Sequence, residues 1–165
     1  MEQTTIQLDS IQIVGIKTRT TYQKELHPLT SEIIRCVQRY WSEAVHQLIP
    51  HRRNPGILFC VYTEYETDYN GGYTYFIGEE VTQIDILPNE LDSLIIPAQT
   101  YAKFTTNPGP IPAIIINAWQ DIWKRSAAHL GGDRNYQADF EVYDDRARSP
   151  GNAVVDIFVG IQSKG

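Results

Sequence analysis

Phe76-Ile77-Gly78 returns downstream as Phe158-Val159-Gly160, and the reading of this stretch decides the fold. The same register holds around it. Trp41 recurs as Trp123, and Val61-Tyr62 as Val142-Tyr143, at offsets of 81 or 82 residues. That is half of a 165-residue chain, so the matches describe one unit written twice. A duplicated unit packs about a pseudo-twofold axis, and the crease between the halves is a natural place for a pocket. One difference in charge between the halves stands out. Glu141 stands where the first half has Cys60.

Each half reads as the same series of elements. Residues 6–22 form one extended segment, in which Ile11, Ile13 and Gly15 alternate with polar neighbours. Pro28 opens a helix that carries Leu29, Ile33, Val37, Tyr40 or Trp41, Val45 and Leu48, and Pro50 stops it. Residues 57–65 are rich in strand formers. Asn70-Gly71-Gly72 is a turn signal, from which residues 73–78 pair back as a hairpin. In the second half residues 94–106 are extended. A helix follows with Ile115, Trp119, Ile122 and Leu130, closed by Gly131-Gly132. Residues 137–143 and 153–161 are the last two strands. The expected class is α+β: tandem pseudo-twofold β-α-β-β repeats, an antiparallel sheet and two long helices. Residues 1–165 form a single domain with pseudo-repeats of about 1–82 and 83–165, since no linker is long enough to divide it.

Composition narrows the function. Hydrophobic residues make up 42% of the chain, enough for a sizeable core. The net charge is -6, and the basic residues gather into no stripe, which argues against direct nucleic-acid binding. Residues 1–10 lack a basic segment followed by an apolar run, so no secretory signal is expected. No apolar stretch approaches the roughly 20 residues of a membrane span. Cys36 and Cys60 lie in apolar runs and read as buried thiols, which fits a reducing, cytoplasmic setting. His27, His46, His51 and His129 are scattered without ligand spacing, so neither metal nor cofactor is expected. Phosphate-binding loops and a nucleophile elbow are absent.

Aromatic residues are the stronger signal. Tyr62, Tyr65, Tyr69, Tyr73 and Tyr75 crowd one hairpin, and Trp119 and Trp123 lie one turn apart on the second helix. Strand alternation puts Asp139, Glu141 and Tyr143 on one face and turns Phe140 and Val142 to the other. The match to Cys60 places Glu141 at least partly inside. A buried carboxylate without a partner is costly, and a cationic ligand would relieve that cost. A salt bridge to Arg134 or Arg146, or simple exposure, would serve it equally well. Glu64, Glu66 and Asp68 read as a solvated hairpin end, and Glu79-Glu80 as exposed.

The order and spacing of these motifs resemble the GyrI-like, AraC-type effector-binding domain family. The resemblance runs from Ile13-Val14-Gly15 through Val61-Tyr62-Thr63-Glu64-Tyr65-Glu66 and Gly72-Tyr73-Thr74-Tyr75-Phe76-Ile77-Gly78. It continues through Ile96-Pro97-Ala98, Tyr101-Ala102-Lys103-Phe104, Trp119 and Ile122-Trp123 to Asp139-Phe140-Glu141-Val142-Tyr143 and Phe158-Val159-Gly160-Ile161. It implies a tandem β-α-β-β fold whose aromatic pocket faces cationic lipophilic compounds with one acidic residue, here Glu141. The ligand-binding set that follows is Glu141, Tyr143, Phe140, Trp119, Trp123, Tyr65, Tyr75 and Tyr101. Some family members carry this domain fused to a DNA-binding region that this sequence does not supply, so the resemblance implies a stand-alone sensor or sequestering protein, with a homodimer or a separate regulator as its expected partner. Stand-alone relatives imply two other roles. One is hydrolysis of reactive cyclopropane-bearing genotoxins, with Glu141 activating water and Tyr65 or Tyr143 donating a proton. The other is inhibition of a topoisomerase. The expectation is a non-enzymatic module for amphipathic, cationic small molecules.

Overall fold

The structure, a computed structural model, describes residues 1–162. Eight strands make one antiparallel sheet: β1 (Glu2–Leu8), β2 (Ile11–Thr21), β3 (Leu58–Thr63), β4 (Gly72–Glu80), β5 (Asp92–Ile96), β6 (Gln99–Thr105), β7 (Arg134–Tyr143) and β8 (Asp156–Ile161). Their spatial order is β1-β6-β8-β7-β3-β4-β2-β5. Exchanging each strand with its counterpart in the other half reverses this order and leaves it unchanged, as a twofold axis between β7 and β3 requires.

Both expected extended segments divide, 94–106 into β5 and β6 at Pro97-Ala98. The extended segment 6–22 is two strands, broken at Asp9-Ser10, and the strands part company. β2 pairs with β4 of its own half, while β1 crosses to pair with β6 of the second half. β5 makes the reciprocal crossing to β2. The halves therefore exchange their first strands. Periodicity in a sequence fixes which face a strand buries but not which edge it joins.

The repeated glycine has a steric cause. Gly15 and Gly78 sit opposite each other in the β2–β4 ladder. A Cβ on Gly15 would lie 2.0 Å from the Ile77 carbonyl oxygen, and one on Gly78 would lie 2.1 Å from that of Val14. At Gly160, the counterpart of Gly78, a Cβ would meet Gln99 and Asn135 side chains at 2.6 and 2.7 Å.

Four helices connect the strands: α1 (Tyr22–Glu25), α2 (Glu32–Ser42), α3 (Ala113–Trp123) and α4 (Ala127–Leu130). α2 starts at Glu32 rather than at Pro28, because the Ser31 hydroxyl caps it by accepting from the Ile34 N–H. Glu25 holds that cap by accepting from the Ser31 hydroxyl and the Glu32 N–H. Leu29 is left exposed, and Val45–Leu48 is a separate 3-10 turn. The second helix is likewise two pieces. Gly131 closes α4 at φ 89°, the left-handed position that a glycine accepts without strain.

α2 packs on the first half (Val14, Ile16, Tyr40, Cys60, Ile77) and α3 on the second (Ala102, Phe104, Trp119, Ile157, Val159). Tyr62 and Tyr143 pack against both groups and so line the crease. The opposite face of the sheet carries a third core in which no helix takes part. At its centre Phe140 stacks on Phe158 with centroids 4.5 Å apart. No helix among the described residues is long and apolar enough to cross a membrane.

Candidate functional site

Cys60 pairs directly with Glu141 across the β3–β7 ladder. The two are counterparts in the duplication, and a residue meets its own counterpart only on the symmetry axis. One step away, Phe59 meets Val142 and Val61 meets Phe140. Of the β3 positions whose counterparts differ in charge (Leu58/Asp139, Cys60/Glu141, Thr63/Asp144), Cys60/Glu141 is the one on the axis. Directly opposed residues point to the same face, here the one that carries both helices.

Glu141 is 2% exposed. Three neutral donors hold its carboxylate. Oε2 accepts from the Tyr62 hydroxyl and from Trp119 Nε1, each at 2.8 Å. Oε1 accepts from the Tyr143 hydroxyl at 2.6 Å. Tyr62 comes from β3 in the first half, and Trp119 and Tyr143 come from α3 and β7 in the second, so both halves build the site. Tyr75 completes the wall, with its ring 5.5 Å from that of Tyr62. The Trp119 ring lies 5.6 Å from Tyr62 on the other side.

No Lys, Arg or His among the described residues forms an ion pair with Glu141. Arg134 instead binds the buried Asp139 at 2.8 Å, and Arg146 binds Asp144 and Asp156. Burial raises the Glu141 pKa above the ordinary carboxylate value, and the bonds from Tyr143, Trp119 and Tyr62 offset only part of that rise. Burial, with the Glu141 charge beside them, pushes the phenols of Tyr62, Tyr75 and Tyr143 far above their usual range. The rings remain neutral donors at any physiological pH. The arrangement is a set of aromatic side chains around one buried carboxylate that has no ionic partner among the described residues.

Of the residues singled out in the sequence, Tyr143, Trp119 and Tyr75 gather around Glu141. Tyr65 lies beside them but donates to Asp139 at 2.6 Å. Three others lie elsewhere. Phe140 and Tyr101 belong to the core on the opposite face of the sheet, where Tyr101 donates to the Pro97 carbonyl. Strand alternation at Phe140 already pointed that way. Trp123 is 43% exposed and stacks on Tyr69 at 5.7 Å, facing a recess of about 290 Å³ that does not reach Glu141. A helical repeat of 3.6 turns Trp123 some 40° from Trp119. Glu79 corrects another expectation. It is buried, and it pairs with Arg52 and accepts from the Gly56 N–H. Tyr62 is absent from the set read off the sequence. The signal for it was there, since Tyr62 repeats as Tyr143.

The chain is 32% identical over 157 residues to YobU of Bacillus subtilis (strain 168), provisionally named a transcriptional regulator protein, with 94% of each chain covered. Among solved structures it superposes on the integron cassette protein VCH_CASS2 of Vibrio cholerae with a TM-score of 0.76. The identity is 23%, over 97% of this chain and 95% of that one. The structure of SAV2435 bound to tetraphenylphosphonium also gives 0.76, at 20% identity over 98% and 94% of the two chains. These two likenesses show the fold, which is the GyrI-like one. The family described as integron-associated effector binding protein (Cass2) matches residues 4–161, nearly the whole of both repeats, and the chain belongs to it.

Proposed function

We propose that this protein binds an amphipathic organic cation in the crease, with Glu141 as counter-charge and Tyr62, Tyr75, Tyr143 and Trp119 as walls. One observation carries the reading: a carboxylate 2% exposed, on the symmetry axis, held by three neutral donors and by no cation. A protein spares such a charge the cost of burial by pairing it, and here the partner comes from outside. Aromatic faces attract the same cation, by about 0.5–2 kcal/mol per ring. The tetraphenylphosphonium held by SAV2435, a protein of this fold, is a ligand of that class. The role is sensing or sequestration of such compounds, and no bond in the ligand need change.

Titration with tetraphenylphosphonium, followed through tryptophan fluorescence, tests the reading. Binding should quench Trp119 and weaken sharply in Glu141→Gln. Equal affinity in the two proteins would sink it. Turnover of an electrophilic cyclopropane substrate, lost in Glu141→Ala, would instead make Glu141 a general base.

A further inference from the structure

The recess beside Trp123 is built from the C-terminal end of α3, α4, the start of β7 and the β3–β4 hairpin, and holds about 290 Å³. That is close to the lower end for a small-molecule pocket. Three rings line it. Tyr69 and Trp123 stack nearly parallel, at 18°. Tyr136 stands across from them, 4.4 Å from the Arg134 guanidinium. Tyr136 takes φ 52°, a backbone state that a bulky side chain rarely adopts, within the irregular stretch of β7 between Arg134 and Asp139. Strain of this kind clusters at ligand sites.

The polar lining is unusual. Among the described residues, four buried side-chain polar atoms have no hydrogen-bond partner. Two of them are the Nε atoms of Arg125 and Arg134, and both arginines line this recess. Both terminal nitrogens of Arg125 and one of Arg134 are occupied. Arg134 donates to Asp139, and Arg125 donates to Gln3 and Asp121. The Arg134 side chain is only 10% exposed. Neither Nε has an acceptor, and the one carboxylate in the lining is that of Asp133. The titratable lining is Arg125, Arg134, Asp133 and the two tyrosines, so an amine would meet two guanidinium groups and one carboxylate.

We propose that this recess is a second ligand site, separate from the Glu141 crease, for a flat aromatic molecule bearing a carboxylate. The ring lies against Trp123 and Tyr69. The carboxylate oxygens accept from the guanidinium groups, whose planar donors suit that geometry. The two sites thus select opposite charges within one chain.

The probe is 1-naphthoate, with 1-naphthylmethylammonium as its charge-reversed control, followed by proton–nitrogen NMR of the three indole N–H groups. Naphthoate should shift the Trp123 signal and leave Trp119, locked on Glu141, in place. Its affinity should fall at least tenfold in Trp123→Ala and in Arg125→Gln, which alter partly exposed side chains, and stay within twofold in Glu141→Gln. The ammonium should not shift Trp123. The proposal is overturned if naphthoate leaves Trp123 unmoved, if its binding is lost in Glu141→Gln, or if the ammonium binds there equally well. Tetraphenylphosphonium added to the same samples reports on the crease independently, so either site can fail without the other.

Discussion

Replacing Glu141 by Gln should reduce cation binding while leaving the unliganded fold as stable as before, or more stable near neutral pH. The geometry explains both signs. Trp119 Nε1 can only donate, so the amide oxygen must take the place of Oε2 and keep the bonds from Trp119 and Tyr62. The amide nitrogen then stands where Oε1 was and donates to the Tyr143 hydroxyl, which turns from donor to acceptor. All three contacts survive; the second amide N–H and the released Tyr143 O–H lose an acceptor, and the removed cost of burying a charge offsets this. What disappears is the charge. A phosphonium or ammonium centre about 5 Å from the carboxylate gains about 3 kcal/mol at an effective dielectric near 20. Desolvation of the ligand removes part of this, so we expect a net loss of about 1.5–3 kcal/mol, roughly 10- to 150-fold in Kd. The pH dependence follows from linkage. Burial raises the Glu141 pKa in the folded protein above its ordinary 4.5. Between those two values the folded chain keeps a proton that the unfolded chain has released. Wild-type stability therefore falls as pH rises through that window, by about 1.4 kcal/mol per unit of elevation, and levels off above it. The variant has no such slope. Urea denaturation of both proteins from pH 4 to 8, with tetraphenylphosphonium titration at each pH, measures the two effects. A wild-type minus variant stability difference that does not change with pH would refute the electrostatic argument, as would a Kd within twofold of wild type.

Trp119→Phe keeps the ring and removes the N–H that Glu141 accepts, so at neutral pH stability should fall by about 1–3 kcal/mol in urea melts. Gly78→Ala places a Cβ 2.1 Å from the Val14 carbonyl oxygen, and neither backbone can give way. We expect a loss of several kcal/mol, or no soluble protein, with expression yield and thermal melting as the measure. Cys36 and Cys60 should resist thiol reagents until the protein unfolds, because both are buried and burial raises the Cys36 thiol to about 11 and the Cys60 thiol well above its usual value. A fast reaction of either thiol in native buffer would contradict that burial.

The sequence by itself determined the duplication and, with it, the α+β class and the alignment of Glu141 with Cys60. Alternation along β7 set the faces of Asp139, Phe140 and Glu141, because a strand's period of two is a local property. The repeat offset aligns Glu141 with Cys60 in the sequence itself. The tertiary structure decided what depends on distant pairing. It sent β1 and β5 to opposite halves, a choice made by partner strands about 80 to 100 residues away along the chain and not encoded in either strand's pattern. It also chose which aromatic rings meet. Tyr62 joined Glu141, while Tyr101, equally aromatic and fully buried, went to the other face. Composition says how many rings a chain can bury. Only the packed sheet, by placing a residue and its own counterpart on one axis, says which of them surround the charge.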